Sequence, residues 1–441
     1  MRIRAIYLGA IFGCMVLAAS AAEPVSGELP GLTVCRGELL LKGKPYRGIG
    51  ANYFSLFYRV IKDPADDSYQ DGLKRLSEAG IPFVRFMACG FWPIDWDQYL
   101  NDKEAYFRRL DRVIAAAEEA DIGLVPSLFW HMPTVSDVVG EPIDQLGNPQ
   151  SKTIAFMRQY TEEVVLRYRD SPAIWGWEFG NEYNLVVDLP NAAEHRPKVV
   201  PELKTALART ARDELSCQGM LRAFAAFAET VRKHDKHRVI ITGNSIPGPS
   251  AFHNSTERSW EKDTREQFSG ILLRDNPDPF DVISVHVYGS SGQANTKSIA
   301  ELVATLQDIS ASAGKPLFVG EFGASATLGK DKERALFLEI LRAIEASKVP
   351  LSAFWVFDYP GQNKDWNVTF DNERSYMLRL VAAANRRMKA DANGVSERQR
   401  SSTATARRGR RLDGQVRPGH RPSIAALPTA STPPPADWHT L

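Results

Sequence analysis

Ile174-Trp175-Gly176-Trp177-Glu178-Phe179 is a short, largely apolar run that leads directly into Gly180-Asn181-Glu182. Pro316-Leu317-Phe318-Val319-Gly320 leads into Glu321-Phe322-Gly323 in the same way. A short apolar run of this kind, flanked by glycine or proline and rich in β-branched or aromatic residues, reads as a buried strand. Six more runs of the same character lie at 46–51, 83–88, 123–129, 238–243, 281–287 and 351–357. Longer amphipathic stretches separate them, for example 106–120, where Phe107, Leu110, Val113, Ile114 and Ala117 recur at helical spacing. Further helical patterns fall near 69–79, 153–168, 221–234, 299–313, 333–346 and 374–388, with a weaker one near 261–273. Strand and helix alternating in this way is the pattern of parallel βα units, and eight of them predict an α/β fold, a closed (β/α)8 TIM barrel.

The doubly wound alternative requires a glycine-rich phosphate turn after the first strand. Gly48-Ile49-Gly50-Ala51-Asn52 has no suitable third glycine and no helix start behind it. Before the first strand, the alternating segment 32–41, with Arg36-Gly37 as its turn, predicts a short N-terminal β-hairpin that closes the barrel floor. The stretch 185–216 carries Pro190, Pro197 and Pro201 and is too long for a plain βα turn, which puts it at the rim of the barrel mouth.

The chain has 441 residues, of which 44% are hydrophobic and 24% charged, with a formal net charge of +1. That composition supports a large core and leaves no whole-protein footprint for nucleic acid or an anionic membrane. Residues 1–22 read as a signal peptide: Arg2 and Arg4, an apolar stretch over 5–19, then Ser20-Ala21-Ala22. The apolar stretch is shorter than the ~20 residues a spanning helix needs. Lipoprotein processing at Cys14 is disfavoured by Phe12, which stands where a small residue is expected. The barrel domain is expected over 23–390, and the protein is expected to be secreted or periplasmic. After 390 the chain turns to Arg, Ser, Thr and Pro, including Arg407-Arg408-Gly409-Arg410-Arg411, and 391–441 reads as a disordered tail rather than a nucleic-acid arm. Cys35, Cys89 and Cys217, odd in number and irregularly spaced, suggest free thiols rather than a disulfide framework or metal site.

Active sites of such barrels lie at the C-terminal ends of the strands. There the chain places Arg85 (second strand), Trp130-His131 (third), Asn181-Glu182 (fourth), His286 and Tyr288 (sixth), Glu321 (seventh) and Trp355 (eighth). Two carboxylates at separate strand ends can flank one glycosidic bond, one as acid and the other as nucleophile or base. Arg85 and Tyr288 could keep a carboxylate nucleophile ionised and aimed. Asn181 could bond a sugar 2-hydroxyl, and Trp355 could stack on the ring. Glu178 is expected to be structural.

With these residues in place, the chain resembles glycoside hydrolase family 5, in a retaining clan that includes cellulases and β-mannanases. That family's ordered set of Arg, His, Asn-Glu, His-x-Tyr, Glu and Trp is matched by Arg85, His131, Asn181, Glu182, His286, Tyr288, Glu321 and Trp355. Gly43-Lys44-Pro45-Tyr46 before Gly48-Ile49-Gly50-Ala51-Asn52 also resembles the family's entry into its first strand. The resemblance implies Glu182 as acid/base, Glu321 as nucleophile, a covalent glycosyl-enzyme, and a β-1,4-mannan or β-1,4-glucan as substrate. Tyr183 departs from it, since many relatives have Pro there, and this bears on the subfamily.

A transglycosylase would share every one of these residues, whereas a non-catalytic sugar-binding protein would not need both Glu. A metal enzyme would call for ligand spacing such as HExxH, which is absent, so no metal and no cofactor are expected. Among the aromatic residues, Trp92, Trp130 and Trp366 are the preferred sugar-stacking candidates because they lie in or just after strand-end loops. Partners are then a β-glycan or oligosaccharide, with no nucleic acid and no membrane, and a monomer. Endo and exo attack are not distinguished.

Overall fold

The computed structural model describes residues 29–289 and 293–406, with 392–406 as helix backbone only. Eight parallel strands form one sheet: β1 Gly48–Asn52, β2 Phe83–Met87, β3 Gly123–Phe129, β4 Gly176–Gly180, β5 Val239–Ile241, β6 Ile283–Val287, β7 Leu317–Phe322 and β8 Leu351–Phe354. They pair in the order β5-β4-β3-β2-β1-β8-β7-β6, which is chain order read around a circle. Asp281 bridges the remaining seam between β5 and β6. Its N–H donates to the Ile240 carbonyl at 3.0 Å and its carboxylate accepts from the Ile240 N–H at 2.6 Å. The expected (β/α)8 barrel is present.

Along β4 the alternation of a strand sorts the side chains. Trp177 and Phe179 face the helices, Trp177 donating to Asp235 at 2.9 Å and Phe179 packing on Phe224 and Phe227. Glu178 points into the barrel, where it meets Arg85. The outer layer follows the sequence periodicity: α1 Tyr69–Glu78, α2 Lys103–Glu119, α3 Lys152–Tyr168, α4 Cys217–His234, α5 Arg265–Arg274, α6 Ile299–Ser312, α7 Lys330–Ala346 and α8 Ser375–Ala406. The weak helical pattern near 261–273 is explained by α5, which starts only at Arg265, where the N-cap Thr264 and Gln267 form a reciprocal capping box. The last helix runs to Ala406, past the boundary at 390 that the change in composition suggested.

The hairpin pairs Leu32–Cys35 with Glu38–Leu41, and a third short strand, Lys44–Pro45, adds to it. Both turn residues are left-handed, Arg36 at φ 53° and Gly37 at φ 77°, as a two-residue turn of this twist requires. Leu32 and Leu39 pack against Phe83, Val125, Val239, Phe318 and Leu351, which lie at or near the strand starts. The hairpin therefore closes the floor, and the opposite end of the barrel is left as the mouth.

The insertion 185–216 lies at that mouth as a chain of single turns. Cations on it reach acids on the loops after β2 and β3: Lys204 to Asp97 at 2.6 Å, Arg209 to Asp137 at 2.6 Å and Arg212 to Asp144 at 2.8 Å.

Candidate active site

Arg85 is the hub. It projects inward from β2, is completely buried, and spends its donors on four partners. Nε donates to both Glu178 oxygens (2.9 and 2.8 Å), Nη1 to Asn52 Oδ1 (3.0 Å) and Glu321 Oε1 (2.8 Å), and Nη2 to Asn181 Oδ1 (2.8 Å). Trp130 covers the guanidinium face at 4.4 Å from its ring centre. A planar guanidinium with fixed donors can hold two carboxylates and two amides in one geometry, which a lysine could not.

Glu321 lies inside β7, not after it, and a bulge is what aims it. Val319 and Glu321 pair with the consecutive residues Val285 and His286 of β6, so Gly320 is the extra residue. Phe318 belongs to the barrel interior, so strict alternation would send Glu321 to the helix layer. The bulge resets the phase and turns Glu321 to the mouth. Its Oε2 accepts from the Tyr288 hydroxyl at 2.5 Å, and its side chain is fully buried. Burial pushes the Glu321 carboxyl above the usual range, and the nearby Glu182 adds to this; the Arg85 guanidinium and the Tyr288 hydroxyl pull it back.

Glu182 follows β4 in the left-handed region, at φ 53°, and its N–H donates to the Gly243 carbonyl at 2.9 Å. Gly243, itself at φ 75°, has to be glycine because a Cβ there would stand 1.8 Å from the Gly180 carbonyl oxygen. The Glu182 side chain is 10% exposed, while that of Glu321 is sealed. His286 stands between them, with Nδ1 2.8 Å from Glu182 Oε1 and 3.6 Å from Glu321 Oε2. Burial lowers the ring's pKa to about 3, so it is neutral at ordinary pH. Its Nε2 is buried without a partner among the described residues. An unpaired buried N–H costs more than an unpaired lone pair, so the ring proton is assigned to Nδ1.

Nearly all the residues singled out in the sequence converge here. His131 is at the edge, stacked on Phe91 with ring centres 4.4 Å apart and edge-on to Trp92, with Nδ1 3.1 Å from Thr134 Oγ1. Trp366 packs edge-on against Tyr288 and, like Trp92, is half-buried. Trp130 and Trp355 stack on each other and keep only 3% of their surface exposed. Trp355 Nε1 donates to Gln362 at 2.8 Å. Tyr183 turns away from the mouth: its buried ring donates through the hydroxyl to the Phe129 carbonyl at 3.0 Å.

Two further buried polar residues belong to the site, and neither is marked as such by the sequence pattern. Asn52 accepts from Arg85 and donates to the Gly320 carbonyl at 2.8 Å, tying β1 to the bulge. Its signal was its position at the end of the first strand. Glu178, expected to be structural, is the second carboxylate on Arg85.

Ligand-type atoms of Glu182, His286 and Glu321 lie within 4.8 Å of one another, as do those of His253, Glu257 and Glu261. In the first group Arg85 and Tyr288 aim donors at Glu321, so the set suits a carboxylate pair better than a cation. The second group stands apart at the helix Ala251–Glu257. A surface depression of about 530 Å³ between that helix and α5, lined by Phe252, Gln267, Ile271 and Arg274, contains none of the converging residues.

Residues 42–361 match the family described as Cellulase (glycosyl hydrolase family 5). Over 182 residues the chain is 27% identical to "Probable mannan endo-1,4-beta-mannosidase A" of Aspergillus flavus, covering 36% of this chain and 46% of that protein. Over 90 residues it is 33% identical to "Probable mannan endo-1,4-beta-mannosidase F" of the same organism, covering 19% of each. The chain thus spans less than half the length of these curated relatives. Among solved structures it resembles the endo-1,4-beta-mannanase of Rhizomucor miehei, with a TM-score of 0.59 and 18% identity over 82% of this chain and 99% of that one. It also resembles the endo-1,4-beta-D-mannanase of Thermotoga petrophila, with a TM-score of 0.55 and 15% identity over 77% and 99%. These two establish a common fold. The family match runs from the floor hairpin to the loop after β8 and takes in every converging residue except Trp366: the chain belongs to glycosyl hydrolase family 5.

Proposed function

We propose that the chain is a retaining β-glycan hydrolase in which Glu321 is the nucleophile and Glu182 the general acid/base. One observation carries this reading: an oxygen of Glu182 and an oxygen of Glu321 lie within 4.8 Å of each other. Retention by double displacement calls for carboxyls about 5–5.5 Å apart, whereas inversion needs about 6.5–9.5 Å to admit a water. Exposure supports the division of roles. The acid/base must meet the leaving group and then water, and Glu182 is the one with an open edge; the nucleophile needs only the anomeric carbon.

In the first step a Glu321 oxygen attacks the anomeric carbon as the glycosidic C–O bond breaks, and the departing oxygen takes the proton of Glu182. His286 Nδ1–H holds Glu182 Oε1, which leaves that proton to the other oxygen. In the second step Glu182, now ionised, takes a proton from water, whose oxygen attacks the same carbon and releases Glu321. Arg85 and Tyr288 hold Glu321 through both steps, and Asn181, fixed by Arg85, is placed to bond the sugar 2-hydroxyl, an interaction that strengthens in the transition state.

The names of the relatives favour β-1,4-mannan over β-1,4-glucan, attacked internally. Trp92, Trp366, His131 and the edge of Trp355 are proposed to border the sugar. Export is part of the same reading: residues 1–22 lie outside the described residues, and among those described no helix is long and apolar enough to cross a membrane. Digestion of defined β-1,4-manno- and gluco-oligosaccharides, followed by proton NMR of the fresh products, tests it. The β-anomer should form first from mannan; initial α-anomer would refute retention, and turnover of glucans alone would refute the mannan assignment.

A further inference from the structure

We propose that Glu178 is a positioning residue that sets the ionisation of Glu321 by competing with it for the charge of Arg85. The inference rests on the reading of Glu321 as nucleophile. Glu178 is an interior residue of β4, fully buried, and makes its contacts with Arg85 rather than with the open mouth.

Both Glu178 oxygens face the single Arg85 Nε–H, at 2.9 and 2.8 Å. A guanidinium has no acceptor, so two oxygens sharing one N–H favour the ionised carboxylate. Burial pushes the Glu178 carboxyl up, and Arg85 and the Ser127 hydroxyl pull it back toward the charged form. The cluster then holds one cation, Arg85, between the carboxylates of Glu178 and Glu321; Glu182 is a third carboxyl group within 4.8 Å of Glu321, the Tyr288 hydroxyl donates to Glu321, and His286 is neutral. Arg85 Nη1 reaches Glu321 at 2.8 Å, so the same charge serves both acids.

Holding Arg85 in place does not require that second charge. Asn52 and Asn181 already orient its Nη atoms as neutral acceptors, and a glutamine at 178 could serve Nε in the same way. Burying an extra carboxylate is costly. What the charge does is to leave Glu321 only part of the guanidinium's stabilisation, keeping it more basic and a better attacking group. Neutralising Glu178 should favour departure of Glu321 from the intermediate and weaken its attack.

The test compares Glu178→Gln with the parent enzyme in kcat/KM against pH, thermal unfolding, and mass spectrometry of peptides after treatment with a 2-deoxy-2-fluoro-β-glycosyl fluoride. The acid limb of the variant should move down by about one pH unit or more. A merely structural role would lower unfolding temperature and rate while leaving the limb in place. If Glu178→Gln does not fold, Glu178→Asp keeps the charge but draws it off Nε, and should move the limb the same way by less. A limb that stays put or rises, with Glu321 labelled in both enzymes, overturns the role of Glu178. Absence of the label on Glu321 in the parent enzyme instead overturns the nucleophile assignment on which it rests.

Discussion

At the scale of single residues, the site is a problem of charge in a dry place. Glu321 must be ionised to attack, yet burial pushes its carboxyl above the ordinary range. Activity should therefore fall with decreasing pH already above the usual carboxylate pKa, an acid limb read from kcat/KM against pH. His286 does not shape that limb, because burial keeps its pKa near 3. The same shift has a stability consequence. A group whose folded pKa is raised contributes most below its unfolded pKa, and that contribution is lost as pH rises through the folded value. Glu321→Gln should thus unfold at a higher temperature than the parent enzyme at pH 7 while losing hydrolysis, measured by calorimetry and product release. Tyr288→Phe removes one of the donors on Glu321, at 2.5 Å, and should lower kcat about 10²-fold or more, with little change in unfolding temperature.

At the scale of elements, two glycines put the carboxylates where they are. Gly320 is the extra residue in β7, and a Cβ there would come within 3.1 Å of the buried His286 Nε2. Gly320→Ala should cost activity more than stability, since the ring it pushes stands between the two acids; steady-state kinetics beside denaturant melts would separate the two. Gly243 is a harsher case. Its left-handed backbone and the 1.8 Å approach of an added Cβ to the Gly180 carbonyl leave no room at the crossing of β4 and β5. Gly243→Ala should lose about 3 kcal/mol or more in urea unfolding.

At the scale of the whole molecule, the barrel is closed at the floor by the hairpin and bordered at the mouth by the insertion 185–216. Arg209 on that insertion is 5% exposed and meets Asp137, 1% exposed, in a two-pronged pair that fastens the loop after β4 to the loop after β3. Breaking a buried pair strands a charge, so Arg209→Ala should destabilise the fold by about 3–5 kcal/mol in denaturant unfolding. The exposed pairs Lys204–Asp97 and Arg212–Asp144 should each be worth under about 1 kcal/mol.

The order of residues along the chain already determined its architecture. Eight apolar runs alternating with amphipathic stretches have one economical closed arrangement, and the Arg36-Gly37 turn announced the floor hairpin, because periodicity and turn chemistry are local properties. The positions of Glu182 and Glu321 at two strand ends were legible for the same reason. Distances were not. Only the tertiary structure decided that Gly320 is a bulge, since strict alternation along β7 predicts the wrong face for Glu321. Only it showed Trp130 lying over Arg85, and Glu178 sharing Arg85's charge with Glu321. These are contacts between residues tens to hundreds of positions apart, and they exist because closing the barrel buries a single cation where two carboxylates meet it.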